Sequence, residues 1–87
     1  MMLQKIHVEC KGGHPHHEEP VAFVFEGERY TIQEIIDRWY EGRNAPAKVE
    51  LDYYRVLTDK GVFILRYNML FDAWAIITRI RGELLPL

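Results

Sequence analysis

The sequence contains a single cysteine, no long apolar run and no marked excess of either charge. One thiol cannot form an internal disulfide, so nothing indicates an oxidising compartment. No stretch approaches the roughly 20 apolar residues of a membrane-spanning helix, and the first residues do not resemble a secretory signal. The net charge of −2 offers no strong field for an anionic membrane or for non-specific binding to DNA. These absences predict a cytoplasmic protein that does not associate with membranes.

Recognisable catalytic motifs are absent as well. The chain has no glycine-rich phosphate loop, no serine nucleophile motif and no cofactor fingerprint. Its clustered carboxylates stand among polar residues, where nothing would raise a pKa for acid–base work, so we interpret them as solvated charge. They are Glu18 with Glu19, and Asp37 with Glu34 and Glu41. The sequence therefore predicts a protein that is not an enzyme and needs no cofactor.

Apolar side chains, in contrast, are plentiful. Hydrophobic residues make up 48% of the 87 residues, and aromatic residues make up 13%. A chain with this composition can bury enough apolar surface to offset the entropy lost on ordering, which excludes the disordered class. A chain of this length has room for only one core, so residues 1–87 are expected to form a single small domain.

The first third of the chain has the composition of β-strands. Residues 5–10 alternate between apolar and polar side chains, which is the period of a half-buried strand. A loop rich in glycine and proline follows over residues 11–20. Residues 21–25 and 29–32 resume a β-type composition on either side of Glu26 and Gly27, and this arrangement predicts a hairpin.

The segment over residues 32–40 has two interpretations. Thr31 and Glu34 form a capping box, and apolar residues recur at helical spacing as far as Tyr40, which favours a short amphipathic helix. In the alternative, the three isoleucines continue the preceding strand, with a bulge near Gln33 and Glu34. The helix would give an α+β domain, and the strand a mainly β domain. A loop is expected over residues 41–48.

The second half of the chain predicts a three-stranded meander, with β-type runs over residues 53–58, 62–67 and 73–79. Asp59, Lys60 and Gly61 fit a three-residue hairpin loop, in which glycine takes a positive φ without a Cβ penalty. The predicted fold class is mainly β. It is either a small antiparallel sheet or an SH3-like half-open barrel of about five strands that ends in this meander.

The predicted register places an arginine between two aromatic side chains. If Thr58 lies opposite Val62, then Tyr54 lies opposite Arg66, and the next strand brings Trp74 beside Arg66. Such a trio either closes the end of a core, which is the interpretation we favour, or offers a surface that stacks on a partner. A Trp74 side chain that is shielded from solvent would exclude the second interpretation.

Trp39, next to Arg38 and Arg43, forms a second aromatic and basic spot, for which core packing is again the simpler interpretation. The two spots together define a candidate binding surface. Near-neutral charge favours a protein partner over single-stranded nucleic acid, and an exposed sheet edge could pair two copies as a homodimer. The residues of this candidate surface are Trp39, Tyr54, Arg66 and Trp74.

The most conspicuous cluster of metal-ligating residue types is Cys10 with His14, His16 and His17. Thiolate and imidazole are ligands for zinc or another divalent transition metal, so a metal-binding protein is the alternative function. The spacing matches no standard zinc module, however, and a solvated loop is the interpretation we favour. Cys10 falls on the apolar side of its strand, which predicts a structural thiol rather than a nucleophile.

Five stretches carry a family resemblance: Phe25-Glu-Gly-Glu-Arg-Tyr30, Ile35-Ile-Asp-Arg-Trp39, Asp52-Tyr-Tyr-Arg-Val56, Gly61 through Tyr67, and Trp74. In order and spacing they resemble a family of small uncharacterised bacterial proteins, some of which are encoded near translesion DNA polymerases. The resemblance covers most of the chain, roughly residues 21–80. It implies a shared fold and a link with DNA repair, and it brings no catalytic residues to this sequence.

Overall fold

The computed structural model describes residues 2–13, 19–42 and 50–78. Six strands account for most of these residues, and the described part of the chain contains no α-helix. One short 3-10 turn, Lys11–Gly13, follows the first strand. No helix in this part of the chain is long and apolar enough to cross a bilayer. The strands are β1 (Met2–Cys10), β2 (Pro20–Phe25), β3 (Glu28–Gly42), β4 (Glu50–Thr58), β5 (Gly61–Asn68) and β6 (Ala73–Thr78).

The six strands form a closed antiparallel barrel in which sequential strands are neighbours. Strand β1 closes it, because its first half pairs with β6 and its second half, from His7, pairs with β2. The mainly β fold class and the final meander are therefore confirmed. Both faces of the meander are partly apolar, and closing the sheet into a barrel covers one of them completely.

The core fills the interior of this barrel. Alternate residues of each strand point inwards, as the period of a β-strand requires, and the innermost side chains are almost completely shielded from solvent. They form one cluster made of aliphatic and aromatic groups and a single thiol. Its members are Ile6, Val8, Cys10, Phe23, Tyr54, Val56, Leu65, Tyr67, Trp74 and Ile76.

The helix favoured for residues 32–40 is wrong, because these residues belong to the 15-residue strand β3. Its register against β4 shifts between Ile32 and Glu34 and again between Ile35 and Asp37. These bulges let Ile32 and Ile35 both pack against the core, although their spacing does not fit a regular strand. The spacing that resembled a helix is the result of these bulges, and pairing with β4 satisfies the backbone.

The predicted register of the meander is also wrong, by one residue. Thr58 lies opposite Gly61 rather than Val62, so Tyr54 pairs with Leu65 and Tyr53 pairs with Arg66. Gly61 has the positive φ expected of it, 125°, but it takes that conformation inside the strand. The Thr58 hydroxyl closes the turn by donating to the Gly61 carbonyl oxygen at 2.8 Å and accepting from the Lys60 N–H at 3.0 Å.

A one-residue shift exchanges the two faces of a strand. In β5, Phe63, Leu65 and Tyr67 therefore take the side of Val56 and Tyr54, while Ile64 and Arg66 face outwards. Strand β6 follows the same pattern, with Trp74 opposite Tyr67 and Ile76 opposite Leu65. This exchange decides which of the predicted site residues can meet.

Candidate binding surface on the outer face

The structure separates the trio predicted from the sequence. Tyr54 and Trp74 lie inside the barrel with exposed fractions of 2% and 5%, and their ring centroids are 5.4 Å apart. Arg66 is on the outer face, where it lies opposite Tyr53 and Ala75. Neither interior aromatic ring offers a face to a partner. The shielded Trp74 excludes a contact surface built from Tyr54, Arg66 and Trp74.

A different aromatic and arginine cluster occupies the outer face of β3, β4 and β5. We call it the outer patch, and it consists of Trp39, Tyr53, Arg55 and Arg66. Trp39 lies directly opposite Tyr53, which in turn lies opposite Arg66. The Trp39 and Tyr53 rings are parallel to within 2°, with centroids 5.2 Å apart, and the Arg55 guanidinium carbon lies 6.0 Å from the Trp39 ring centroid.

A hydrogen bond holds the Tyr53 ring in this position. Its hydroxyl donates to Glu41 Oε1 at 2.9 Å, across the ladder between β3 and β4. Partial burial raises the pKa of Tyr53 above its usual value of 10.0, the bond to Glu41 raises it further, and the nearby Arg66 opposes both effects. The phenol is therefore neutral at physiological pH and stays a donor to Glu41.

The two arginines of the outer patch, Arg55 and Arg66, lie on the neighbouring strands β4 and β5. Arg55 is directly opposite Ile64, and Arg66 is two residues further along β5, so the register places both side chains beside this isoleucine. Ile64 faces outwards but is only 7% exposed, which is consistent with cover from the apolar stems of the arginines. The Nε atoms of both arginines are buried and have no hydrogen-bond partner in the described part of the chain.

Trp39 is one of three exposed large apolar side chains of β3. Its exposed fraction is 37%, and those of Ile36 and Tyr40 are 45% and 55%. Tyr40 follows Trp39 directly in the strand and lies opposite the buried Asp52, so it faces away from the outer patch. Two further exposed apolar side chains, Leu70 and Phe71, lie in the turn between β5 and β6.

Several polar side chains lie at one end of the barrel core, behind the outer patch. Asp52 is 3% exposed and accepts from Arg38 at 3.2 Å, while the Arg38 guanidinium carbon also lies 5.0 Å from the Tyr54 ring centroid. Tyr67 donates to Asp72 at 2.5 Å. Burial, followed by this hydrogen bond, raises the pKa of Tyr67 well above its usual value. These contacts tie β3 to β4, and β5 to the turn before β6, at this end of the barrel.

Of the four proposed metal ligands, only Cys10 lies among the described residues. Cys10 is buried on the inner side of β1, as its place in the alternation predicts. His14, His16 and His17 lie outside the described residues. Among the residues the structure describes, no group of three or more histidine, cysteine, aspartate or glutamate side chains could hold a metal ion.

Two residues of the outer patch, Tyr53 and Arg55, were missed by the sequence reasoning. The length of the hairpin loop could have identified them, because it decides which residues of β4 share a face with Arg66. With a two-residue turn at Asp59 and Lys60, Tyr53 and Arg66 lie on the same face. Trp39 and Arg66, both predicted as candidate surface residues, do lie on this face.

No protein-family model matches the chain, and comparisons with curated protein sequences and with solved structures found no match. The resemblance to small bacterial proteins therefore stays a prediction. The case for a function rests on the geometry of the barrel surface.

Proposed function

We propose that this protein is a non-enzymatic binding or accessory module that contacts another protein through the outer patch. The observation that carries the proposal is the stacked pair of Trp39 and Tyr53, which stands on the outside of a barrel whose interior is already filled. Neither ring is required to complete the main core. Aromatic and arginine side chains are also the residue types most enriched at the energetic centres of protein interfaces.

The arrangement of the outer patch supports recognition in a second way. The Trp39 and Tyr53 rings are held rigidly by each other and by the bond to Glu41, so little side-chain entropy is lost when a partner binds. Trp39 is 37% exposed, so its ring remains accessible on the outer face. A partner could therefore cover the stacked pair of Trp39 and Tyr53 with the two arginines at its side.

The charge balance favours a protein over a nucleic acid. The net charge is −2, and the two arginines of the outer patch share its surroundings with Asp37 and Glu41 on β3. Binding to a phosphate backbone draws most of its affinity from clustered cations, whereas here two carboxylates offset the two arginines. The link with DNA repair rests on the family resemblance alone, and single-stranded DNA is accordingly the second probe of the test.

The experiment is affinity capture with untagged, surface-immobilised protein from an extract of the cells that contain it. Three proteins are compared: the natural chain, Trp39→Ala and the matched control Phe71→Ala. The control removes an aromatic ring that is 72% exposed and lies in the turn between β5 and β6 rather than among the residues of the outer patch. Each variant is first shown to be folded by circular dichroism.

We expect one protein to be retained by the natural chain and by Phe71→Ala, and to be lost with Trp39→Ala. Retention should persist at high salt, because apolar and stacking contacts are screened little. In parallel, fluorescence anisotropy measures binding to single-stranded oligothymidylate. Equal retention by Trp39→Ala, or salt-sensitive binding to the oligonucleotide as the only interaction, would overturn the proposal of a protein partner.

A further inference from the structure

Strand β3 changes its neighbour after its first four residues. Residues 28–31 pair with β2, whereas from Ile32 to Gly42 the strand pairs with β4. Strand β2 is only six residues long and does not accompany the second half of β3. Within the described part of the chain, no strand pairs with the other edge of β3 over residues 33–42. Among the strands that the structure describes, this part of β3 therefore has a free edge, which we call the β3 edge.

The side chains next to the β3 edge lean away from it. Trp39 stacks on Tyr53 of β4, Arg38 reaches Asp52 of β4, and the Tyr40 hydroxyl donates to Glu50 of β4 at 2.7 Å. Proteins commonly protect a free edge by covering it with side chains or with bulges. Here the bulges end at Asp37, and residues 37–42 pair with β4 without interruption. A straight stretch of six residues is left uncovered by these side chains.

One backbone group indicates the direction of this edge. The Arg38 N–H donates to the carboxylate of the adjacent Asp37 at 2.9 Å. Because successive residues of a strand point their backbone groups to opposite edges, the N–H groups of Arg38 and Tyr40 belong to the free side. An incoming strand would supply a carbonyl oxygen to the Arg38 N–H and release the Asp37 carboxylate.

The charge along the β3 edge is acidic. On the outer face Trp39 is flanked by Asp37 and Glu41, which are two residues away on either side along the strand. Arg38, on the other face, already pairs with the buried Asp52. Tyr53 stacks on the Trp39 ring, and the Arg55 guanidinium carbon lies 6.0 Å from its centroid. A cationic side chain on an added strand opposite residues 37–41 would lie near the carboxylates of Asp37 and Glu41.

We propose that the β3 edge adds a strand from an extended, basic peptide segment of the protein partner. Backbone hydrogen bonds to residues 37–42 would supply the pairing, and a lysine or arginine near the carboxylates of Asp37 and Glu41 would supply the selectivity. This inference rests on the proposed function and specifies the chemistry of its partner.

Charge disfavours several registers of a second copy of the chain at the same edge. Two-fold pairing of antiparallel strands keeps outer faces together, so a residue can only oppose one of the same face. Centring the two-fold axis on Asp37, Arg38 or Trp39 sets Asp37 against Asp37, Arg38 against Arg38, or Asp37 against Glu41, whereas an axis on Tyr40 opposes no like charges. Like charges directly opposite one another destabilise a sheet.

The test uses two synthetic peptides that differ only in charge. Both alternate valine with charged residues; one carries lysine and arginine, and the other carries glutamate at the same positions. Binding is followed by amide chemical shifts and hydrogen exchange in the natural chain. We expect the basic peptide to bind more tightly, to shift the amides of residues 37–42 and to slow exchange at Arg38 and Tyr40.

The matched variants remove charge and keep each hydrogen-bond acceptor. Asp37→Asn with Glu41→Gln should weaken binding of the basic peptide about tenfold, whereas the control Glu26→Gln with Glu28→Gln, which loses the same charge at the β2–β3 turn, should not. Equal binding of both peptides, shifts confined to other strands, or self-association of the chain through β3 would overturn the inference. If Trp39→Ala still abolishes partner capture in that case, the proposed function stands without strand addition. If Trp39→Ala also has no effect, both fail.

Discussion

Replacing the two tryptophans one at a time should separate the outer patch from the barrel core. Trp74 is 5% exposed and contacts Tyr54 and Tyr67, so Trp74→Ala should cost about 3–5 kcal/mol of unfolding free energy. A domain of 87 residues has roughly 4–13 kcal/mol in total, at about 0.05–0.15 kcal/mol per residue. This substitution should therefore remove at least about a quarter of the stability, and it would unfold a domain at the lower end of this range.

Trp39→Ala should be much milder. The ring is already 37% exposed, and its main aromatic contact is the stack on Tyr53, a geometry worth about 0.5–1.5 kcal/mol beyond area burial. Adding the modest apolar area that the stack covers gives an expected loss of about 1–2 kcal/mol. The variant should remain folded, which is what makes it useful as a probe of binding.

Urea unfolding followed by circular dichroism measures both losses. Because the chain has only two tryptophans, Trp39→Phe and Trp74→Phe each leave a single fluorophore. The protein that keeps Trp74 should emit at shorter wavelength and resist quenching by acrylamide, and the protein that keeps Trp39 should be quenched readily. Equal destabilisation by the two alanine substitutions, or easy quenching of Trp74, would refute the assignment of the inner and outer faces.

Three further predictions follow from the same geometry. Burial raises the pKa of Tyr54 and Tyr67 above the ordinary 10.0, so these tyrosines ionise first in the unfolded state and the stability should fall as pH rises above about 10. The midpoint of urea unfolding should therefore decrease with pH, and it should decrease less steeply in Tyr67→Phe. A midpoint that stays constant would contradict this prediction. Gly61→Ala should cost about 1–2 kcal/mol because φ is 125° there, and an unchanged melting temperature would speak against that conformation. Arg38→Met should lower the free energy of unfolding by about 1–3 kcal/mol, which is less than the loss on breaking a fully buried ion pair because the Arg38 side chain is 53% exposed. Combining Arg38→Met with Asp52→Asn should recover part of this loss. No recovery would show that the two residues are not coupled.

Much of the barrel could be predicted from composition and alternation. Strand β1, the β2–β3 turn at Glu26 and Gly27, and the three strands of the meander all follow from local patterns. The second half of β3 could not be predicted in this way. Its isoleucines fit a helical spacing as well as a bulged strand, and only the pairing partner β4, which is distant in sequence, decides between them.

The predicted candidate site was wrong because the sequence analysis assigned one residue too many to a hairpin loop. Counting the hairpin loop as three residues places Tyr54 beside Arg66, and counting it as two places Tyr53 there instead. Local sequence does not settle that count, since Gly61 has a positive φ in both cases and the difference lies in whether it joins the ladder. Both faces of β4 contain a tyrosine, so hydrophobicity gives no further help in choosing the outer one.

The outer patch and the β3 edge have a common origin in the unequal lengths of neighbouring strands. Strand β3 has 15 residues and β2 has six, so at about 3.3 Å per residue β3 extends roughly 30 Å beyond what β2 can pair with. A barrel with strands of equal length would have no free edge, because the neighbouring strand would pair with the same backbone groups of β3. Within the described part of the chain, β4 stabilises this extension through its contacts with Arg38, Trp39 and Tyr40. Trp39 therefore both stabilises the extension and belongs to the outer patch, and the inclination of these side chains towards β4 is what leaves the opposite edge open.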